Sequence, residues 1–161
     1  MPNLVLSNFE LEKFPQSTNQ HSNMNTKING ILESALYFDD LEKAAAFYKD
    51  LFGFETLVNT ERLVALNVAG KQVLLLFKKD ATLSEIPLPN GEVIPAHNGN
   101  GPVHMAFSID IDAQDYWKNR LNEQGIEIQS LVHFNEGHSI YFRDTDDHLI
   151  ELATPGIWKG I

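Results

Sequence analysis

Residues 31–38, ILESALYF, and 102–110, PVHMAFSID, decide how this chain is read, because each opens the same series of elements. Both are strand-like. After the first come Asp39 and Asp40, which can cap a helix, then Leu41, Ala44, Ala45, Tyr48 and Phe52 at helical spacing, then Gly53 to end it. In the second, Asp110 or Asp112 is the cap, Ala113, Tyr116, Trp117 and Leu121 share one helical face, and Gly125 is the stop. Glu33 and His104 stand at equivalent points of the two copies, and the two glycines keep nearly the same separation.

Three further strands follow each glycine. They are expected at 54–58, 62–69 and 72–78 in the first copy and at 126–132, 138–143 and 148–153 in the second. Four strands and one helix cannot cover both faces of a sheet alone. The expected fold is therefore α+β: two βαβββ modules, about 28–80 and 101–158, forming one curved mixed sheet around a cavity, helices outside. A single domain spans 28–158. The loop at 81–100, rich in proline and glycine, joins the modules and is longer than most connections. Residues 1–27, with Pro2, Pro15 and a polar run from Gln16 to Asn23, read as a loose extension, with Met24 as an alternative start.

The 161 residues carry a net charge of −10, a pI near 4.9 and no cysteine. Disulfides, thiolate metal sites and cysteine nucleophiles are excluded together, which fits a cytoplasmic protein. So acidic a surface argues against nucleic acid and anionic membrane as partners, and no apolar run reaches the roughly 20 residues that span a bilayer.

Strand alternation sorts the side chains that could carry chemistry. Glu33, Ala35 and Tyr37 share one face of the first strand, opposite Leu32, Ser34, Leu36 and Phe38. His104, Ala106 and Ser108 share the matching face of the fifth, opposite Val103, Met105, Phe107 and Ile109. Glu151 sits in the otherwise apolar His148-Leu149-Ile150-Glu151-Leu152, where a carboxylate has no packing role and burial is costly. Singly, each has an ordinary reading: an edge residue for Glu33, a hydrogen-bonded core histidine for His104, a salt bridge for Glu151. Together they point to a metal site facing the cavity. Ser139, Tyr141 and Arg143 alternate onto one face of the seventh strand as candidates for substrate contact, Arg143 for an anionic group. The ordinary alternatives are packing for Tyr141 and pairing with Asp144 or Asp146 for Arg143. His97 lies on the connecting loop, either over the pocket or in solvent. His21, His133, His138 and His148 show no partner pattern.

These stretches resemble a known family. Leu32–Leu41 with Ala46-Phe47-Tyr48 and Leu51-Phe52-Gly53-Phe54, then Gly101–Phe107, then Tyr141–Leu152, are similar to the vicinal oxygen chelate superfamily, over residues 28–158. It includes glyoxalase I, the fosfomycin-resistance proteins, extradiol dioxygenases and metal-free bleomycin-binding proteins. Glu136–Phe142 resembles the fosfomycin-resistance branch, and the whole chain resembles the glyoxalase-like group. The resemblance implies metal ligands at Glu33, His104 and Glu151, positions often held by His, His and Glu. Glu33 departs from that set toward a harder, more anionic site for a divalent ion such as Mn, Fe, Zn or Ni, and away from the two-His-one-carboxylate set of an iron dioxygenase. Glyoxalase I takes a fourth ligand where this chain has Leu74 or Leu75. The usual Asp-Pro-Asp-Gly turn is Asp144-Thr145-Asp146-Asp147 here.

The expected function is thus a metal-dependent enzyme acting on a small oxygen-rich substrate, of lyase, isomerase or thiol- or water-addition type. Glu33 and Tyr141 are its catalytic candidates, Glu33 as a ligand or a general base. The alternatives are a metal-free drug-sequestering protein and an Fe(II) dioxygenase. An open curved sheet leaves edges that a homodimer would cover.

Overall fold

The computed structural model of the chain describes residues 28–160, so the extension read at 1–27, with His21 and Met24, lies outside the described residues. The elements run β1 (Glu33–Phe38), α1 (Leu41–Phe52), β2 (Glu55–Asn59), β3 (Leu63–Val68), β4 (Gln72–Lys78), β5 (Ile86–Pro87), β6 (Val93–Ile94), β7 (His104–Ser108), α2 (Gln114–Glu123), β8 (Ile128–Phe134), β9 (Gly137–Arg143) and β10 (Leu149–Ala153). A 3-10 turn at Pro155–Ile157 follows.

The repeat is real. Each copy folds into a four-stranded sheet of the same order, β1-β4-β3-β2 and β7-β10-β9-β8. In each, the first and fourth strands pair in parallel and the rest are antiparallel, so both sheets are mixed. The two βαβββ modules of the α+β reading are therefore present, with one difference: no ladder joins the two sheets among the described residues. The modules meet through their helix-covered faces instead. Phe52 of α1 packs on Phe107 and Trp117 of the second module, with ring centroids 5.0 and 5.5 Å away. Arg120 of α2 reaches the carbonyls of Asp50 and Leu51 at the end of α1. Leu36, Phe38, Tyr48, Leu76, Phe142, Ile150 and Leu152 belong to one continuous buried cluster drawn from both copies.

Local chemistry accounts for the helix ends. Asp40 accepts a hydrogen bond from the Lys43 N–H at 3.0 Å, and Gly53 takes a left-handed φ of 72° while its N–H closes on Lys49. In α2 neither Asp110 nor Asp112 caps: the helix starts at Gln114 after Ala113, with no side-chain cap. The Ala113 N–H bonds the Asp110 carbonyl at 3.1 Å, so a backbone turn uses the donor that a side chain would have taken. The loop at 81–100 also differs from expectation, for it holds the short β5–β6 ladder.

The turn before β10 carries a buried network. Asp144 Oδ2 accepts from the Tyr48 hydroxyl at 2.8 Å and lies 2.8 Å from His148 Nδ1, while Oδ1 accepts from the N–H groups of Asp146 and His148. Burial and the Asp144 charge raise the Tyr48 phenol well above its ordinary value. Asp147 takes φ 67° where the family pattern has glycine, and its carbonyl is held by Arg143 Nη1 at 2.8 Å.

Candidate metal centre

Alternation places the site residues as read. Leu36 and Phe38, Ile140 and Phe142, and Ile150 and Leu152 are buried against the helices. Glu33, Ala35, His104, Ala106 and Ser108 project from the other face and are exposed. Glu151 shares that second parity yet is only 6% exposed, because β10 lies inside its sheet between β7 and β9.

His104 and Glu151 come together. Register puts Glu151 beside Ala106 on β7 and Tyr141 on β9, and His104 one pleat along. His104 Nε2 is 3.0 Å from Glu151 Oε2, and the Tyr141 hydroxyl donates to Glu151 Oε1 at 2.8 Å. Both carboxylate oxygens are thus oriented, one toward the imidazole and one by the phenol. Burial, then the bond to Glu151, raise the Tyr141 phenol above its ordinary value, opposed by nearby Ser139. Tyr141 therefore stays protonated and keeps donating at neutral pH. The Ser139 hydroxyl is wholly buried on the same strand face, beside the Tyr141 phenol.

The donor chemistry fits a divalent ion at this pair. An imidazole nitrogen and a carboxylate oxygen are both donors that divalent ions of the Mn to Zn series accept. The second carboxylate oxygen with its phenol is the outer support that such ligands usually have. The set is incomplete within one chain: among the described residues no three of His, Cys, Asp or Glu gather around one point. Glu33 is exposed on β1 and is not brought to His104 and Glu151.

The remaining candidates divide. Arg143 is engaged at the turn, its Nε 3.1 Å from the Gln129 side chain and 3.7 Å from Asp147 Oδ1, which is neither of the pairings expected of it. His97 stays exposed but packs on the first sheet, its Nδ1 2.6 Å from the Tyr37 hydroxyl on β1. Tyr37 and the Asp144–His148 pair carried no signal beyond parity in the sequence. Of the two positions where the resemblance implies a fourth ligand, Leu75 lies on the cavity face of β4 between Ala35 and Ala65, and Leu74 is buried in the core. His138 faces the core with Nε2 buried and unpartnered, and burial, then His133, hold it below the ordinary histidine value. A groove of about 880 Å³ along the start of α1 near Asp39, Glu42 and Lys49 contains none of these residues. Chemistry, not volume, marks the site.

Comparison with known proteins finds relatives along most of the chain. The chain is 32% identical over 130 residues to the metallothiol transferase FosB of Shouchella clausii, covering 79% of this chain and 81% of that protein. It is 30% identical over 131 residues to the fosfomycin resistance protein FosX of Listeria innocua, covering 78% and 89%. Among solved structures, lactoylglutathione lyase from Agrobacterium tumefaciens superposes with a TM-score of 0.73 at 33% identity, over 82% of this chain and 98% of that one. FosX from Listeria monocytogenes in complex with Mn(II) and sulfate gives 0.59 at 26%, over 80% and 91%. Residues 28–152 match a single family over most of the chain. The protein belongs to the Glyoxalase/Bleomycin resistance protein/Dioxygenase superfamily.

Proposed function

We propose that the protein is a metal-dependent enzyme that adds a thiol or water to a small oxygen-rich electrophile. The observation that carries this reading is the His104–Glu151 pair at 3.0 Å, braced by Tyr141 on an open sheet face. A divalent ion there would polarise an oxygen of the substrate. His104 and Glu151 would hold it, and Tyr141 fixes the Glu151 rotamer.

The third ligand is Glu33 of a second copy, which makes the working unit a homodimer. Supporting this, β2 is exposed along its whole length, and Leu57, Val58, Leu131 and Phe134 leave apolar surface on the outermost strands of both sheets. The name of the FosB relative, a metallothiol transferase, favours thiol addition, and that of the FosX relative, a fosfomycin resistance protein, supplies the probe. The likeness to lactoylglutathione lyase favours an isomerase or lyase instead, against which Leu75 offers no oxygen or nitrogen donor.

Protein purified without chelator is expected to carry about one divalent ion per chain, and His104→Ala or Glu151→Gln to lose it. The Mn²⁺-loaded protein, given fosfomycin with a thiol or with water alone, is expected to open the epoxide, followed by phosphorus NMR. A wild type that takes up no Mn²⁺, Fe²⁺, Zn²⁺ or Ni²⁺ overturns the reading and leaves a sequestering protein. Metal uptake with an intact epoxide moves the substrate elsewhere.

A further inference from the structure

No pattern in the sequence pairs His133 with His138, but the fold does. β8 and β9 run antiparallel in a register that sets the two residues directly opposite each other, so both imidazoles leave the same face of the sheet. Their ring centroids stand 6.5 Å apart, with the planes inclined at 45°. By alternation this is the face of Ile140 and Phe142, the reverse of the one that carries Tyr141 and Glu151.

His138 is held firmly by its backbone. Its N–H donates to Thr154 Oγ1 at 2.9 Å and its carbonyl accepts from the Thr154 N–H at 3.1 Å. Beside it, Gly137 lies so close to Thr154 Oγ1 and Ile157 that a Cβ would not fit. The side chain has no such tie. The residue is 6% exposed, and Nε2 is buried with no hydrogen-bond partner among the described residues. A buried imidazole nitrogen left unpaired costs stability that a ligand would recover. Burial, then nearby His133, hold the ring below the ordinary histidine value, so at neutral pH it is uncharged and keeps a lone pair for a cation.

His133 completes the pair from the solvent side. β8 is the outermost strand of its sheet and His133 is exposed, so an ion can reach it. The Gln114 amide, at the start of α2, stands 3.3 Å from its Nε2. Asp110, Asp112 and Asp115 flank that helix start, and their charge favours a cation nearby.

We propose that His133 and His138 form a second metal site, separate from the candidate centre on the other face of the sheet, that takes one Cu²⁺, Ni²⁺ or Zn²⁺ ion through two imidazole nitrogens, with water completing its coordination. Imidazole suits these ions, and Cu²⁺ stands highest in their usual order of affinity.

The test counts copper bound at equilibrium dialysis by untagged full-length chains. His133→Gln is expected to hold about one Cu²⁺ per chain fewer than wild type, and to show the same loss in a His104→Ala background, where the first centre is already disabled. His138→Asn is expected to lose the same ion, and His97→Gln, an exposed histidine outside the pair, to lose none. In the His104→Ala background the electron paramagnetic resonance of the bound copper should show splitting from two nitrogens, which His133→Gln removes. The proposal is overturned if His133→Gln keeps its copper, if the loss appears only while His104 is present, if His97→Gln loses as much, or if a single nitrogen is seen. A folded His138→Asn chain with undiminished copper overturns it too, and should that variant not fold, His133→Gln and the nitrogen splitting decide. None of these outcomes bears on the His104–Glu151 centre, whose own variants test it.

Discussion

The two cavity faces share one strand plan and differ in what they carry. On the second module, His104, Glu151 and Tyr141 converge, with His104 exposed and Glu151 buried beneath it. On the first, Glu33 stands exposed near one end of β1, while Tyr37 and Phe77 are overlaid by His97 of the linker. Register makes the contrast concrete. Glu33 pairs with Val73 as His104 pairs with Leu149, and Ala35 pairs with Leu75 as Ala106 pairs with Glu151. Leu75 is thus the first module's counterpart of Glu151. A repeated fold supplies two equivalent sets of positions, and at this one the two modules differ in having a carboxylate or an aliphatic side chain.

The β-turns before the fourth strands differ as much. In the first module the turn is exposed Ala69-Gly70, with φ 54° and 67°. In the second it is the Asp144 network, buried and tied to Tyr48 of the opposite module. Asp144→Ala strands the Tyr48 hydroxyl and the His148 ring in the core. It is expected to cost about 3–5 kcal/mol, against about 1–2 kcal/mol for Gly70→Ala, whose cost is left-handed backbone alone. Urea denaturation of both variants checks the ratio. Equal losses would remove the distinction between the turns.

Leu75→Glu tests the register argument from the other side. A carboxylate at this half-buried position is expected to destabilise the metal-free protein by about 1–3 kcal/mol, the cost of burying a poorly paired polar group. It should tighten Mn²⁺ binding by adding a donor to the face that also holds Glu33. Thermal melts with and without Mn²⁺ read both effects. A variant destabilised equally in the two conditions would show that Leu75 does not face the metal.

The smallest effect is acid-linked. Burial works to raise the Asp146 carboxyl, but the Asp39 N–H at 2.7 Å, Lys79 at 3.1 Å and Thr145 overcome it and hold it below the ordinary value. A carboxyl whose folded pKa is depressed stabilises fully above its unfolded value, about 3.9, and loses that contribution as pH falls through the folded pKa. Asp146→Asn is therefore expected to lower stability by roughly 1–2 kcal/mol at pH 7 and to flatten the pH dependence below about pH 4. An unchanged acid limb would locate it in other carboxylates.

Much of this was legible before the coordinates. The repeat showed because the helix-ending Gly53 and Gly125 punctuate two matching hydrophobic patterns, and alternation alone set Glu33 and His104 on equivalent faces. What lay beyond the sequence has physical causes. A strand's local pattern is the same whether its sheet continues into the other module, into a second copy or not at all, so the two separate sheets could not be distinguished from one. Tyr37 and His97 meet across 60 residues through a linker with no periodicity. Arg143 has the parity of Tyr141, but it ends its strand, where the Asp147 carbonyl is the nearer claimant. The short β5–β6 ladder has two residues a side, too few to show alternation.

The central claim is that the metal site is divided, with His104 and Glu151 from one copy and Glu33 from another. Complementation tests it directly. Glu33→Gln and His104→Ala chains, each metal-deficient alone, are unfolded together, refolded as a mixture and assayed for bound Mn²⁺. In a dimer with divided sites, each mixed pair regains one intact site, and random pairing restores about a quarter of the wild-type metal content. If the mixture binds no more Mn²⁺ than the separate variants do, the three ligands do not come from two chains.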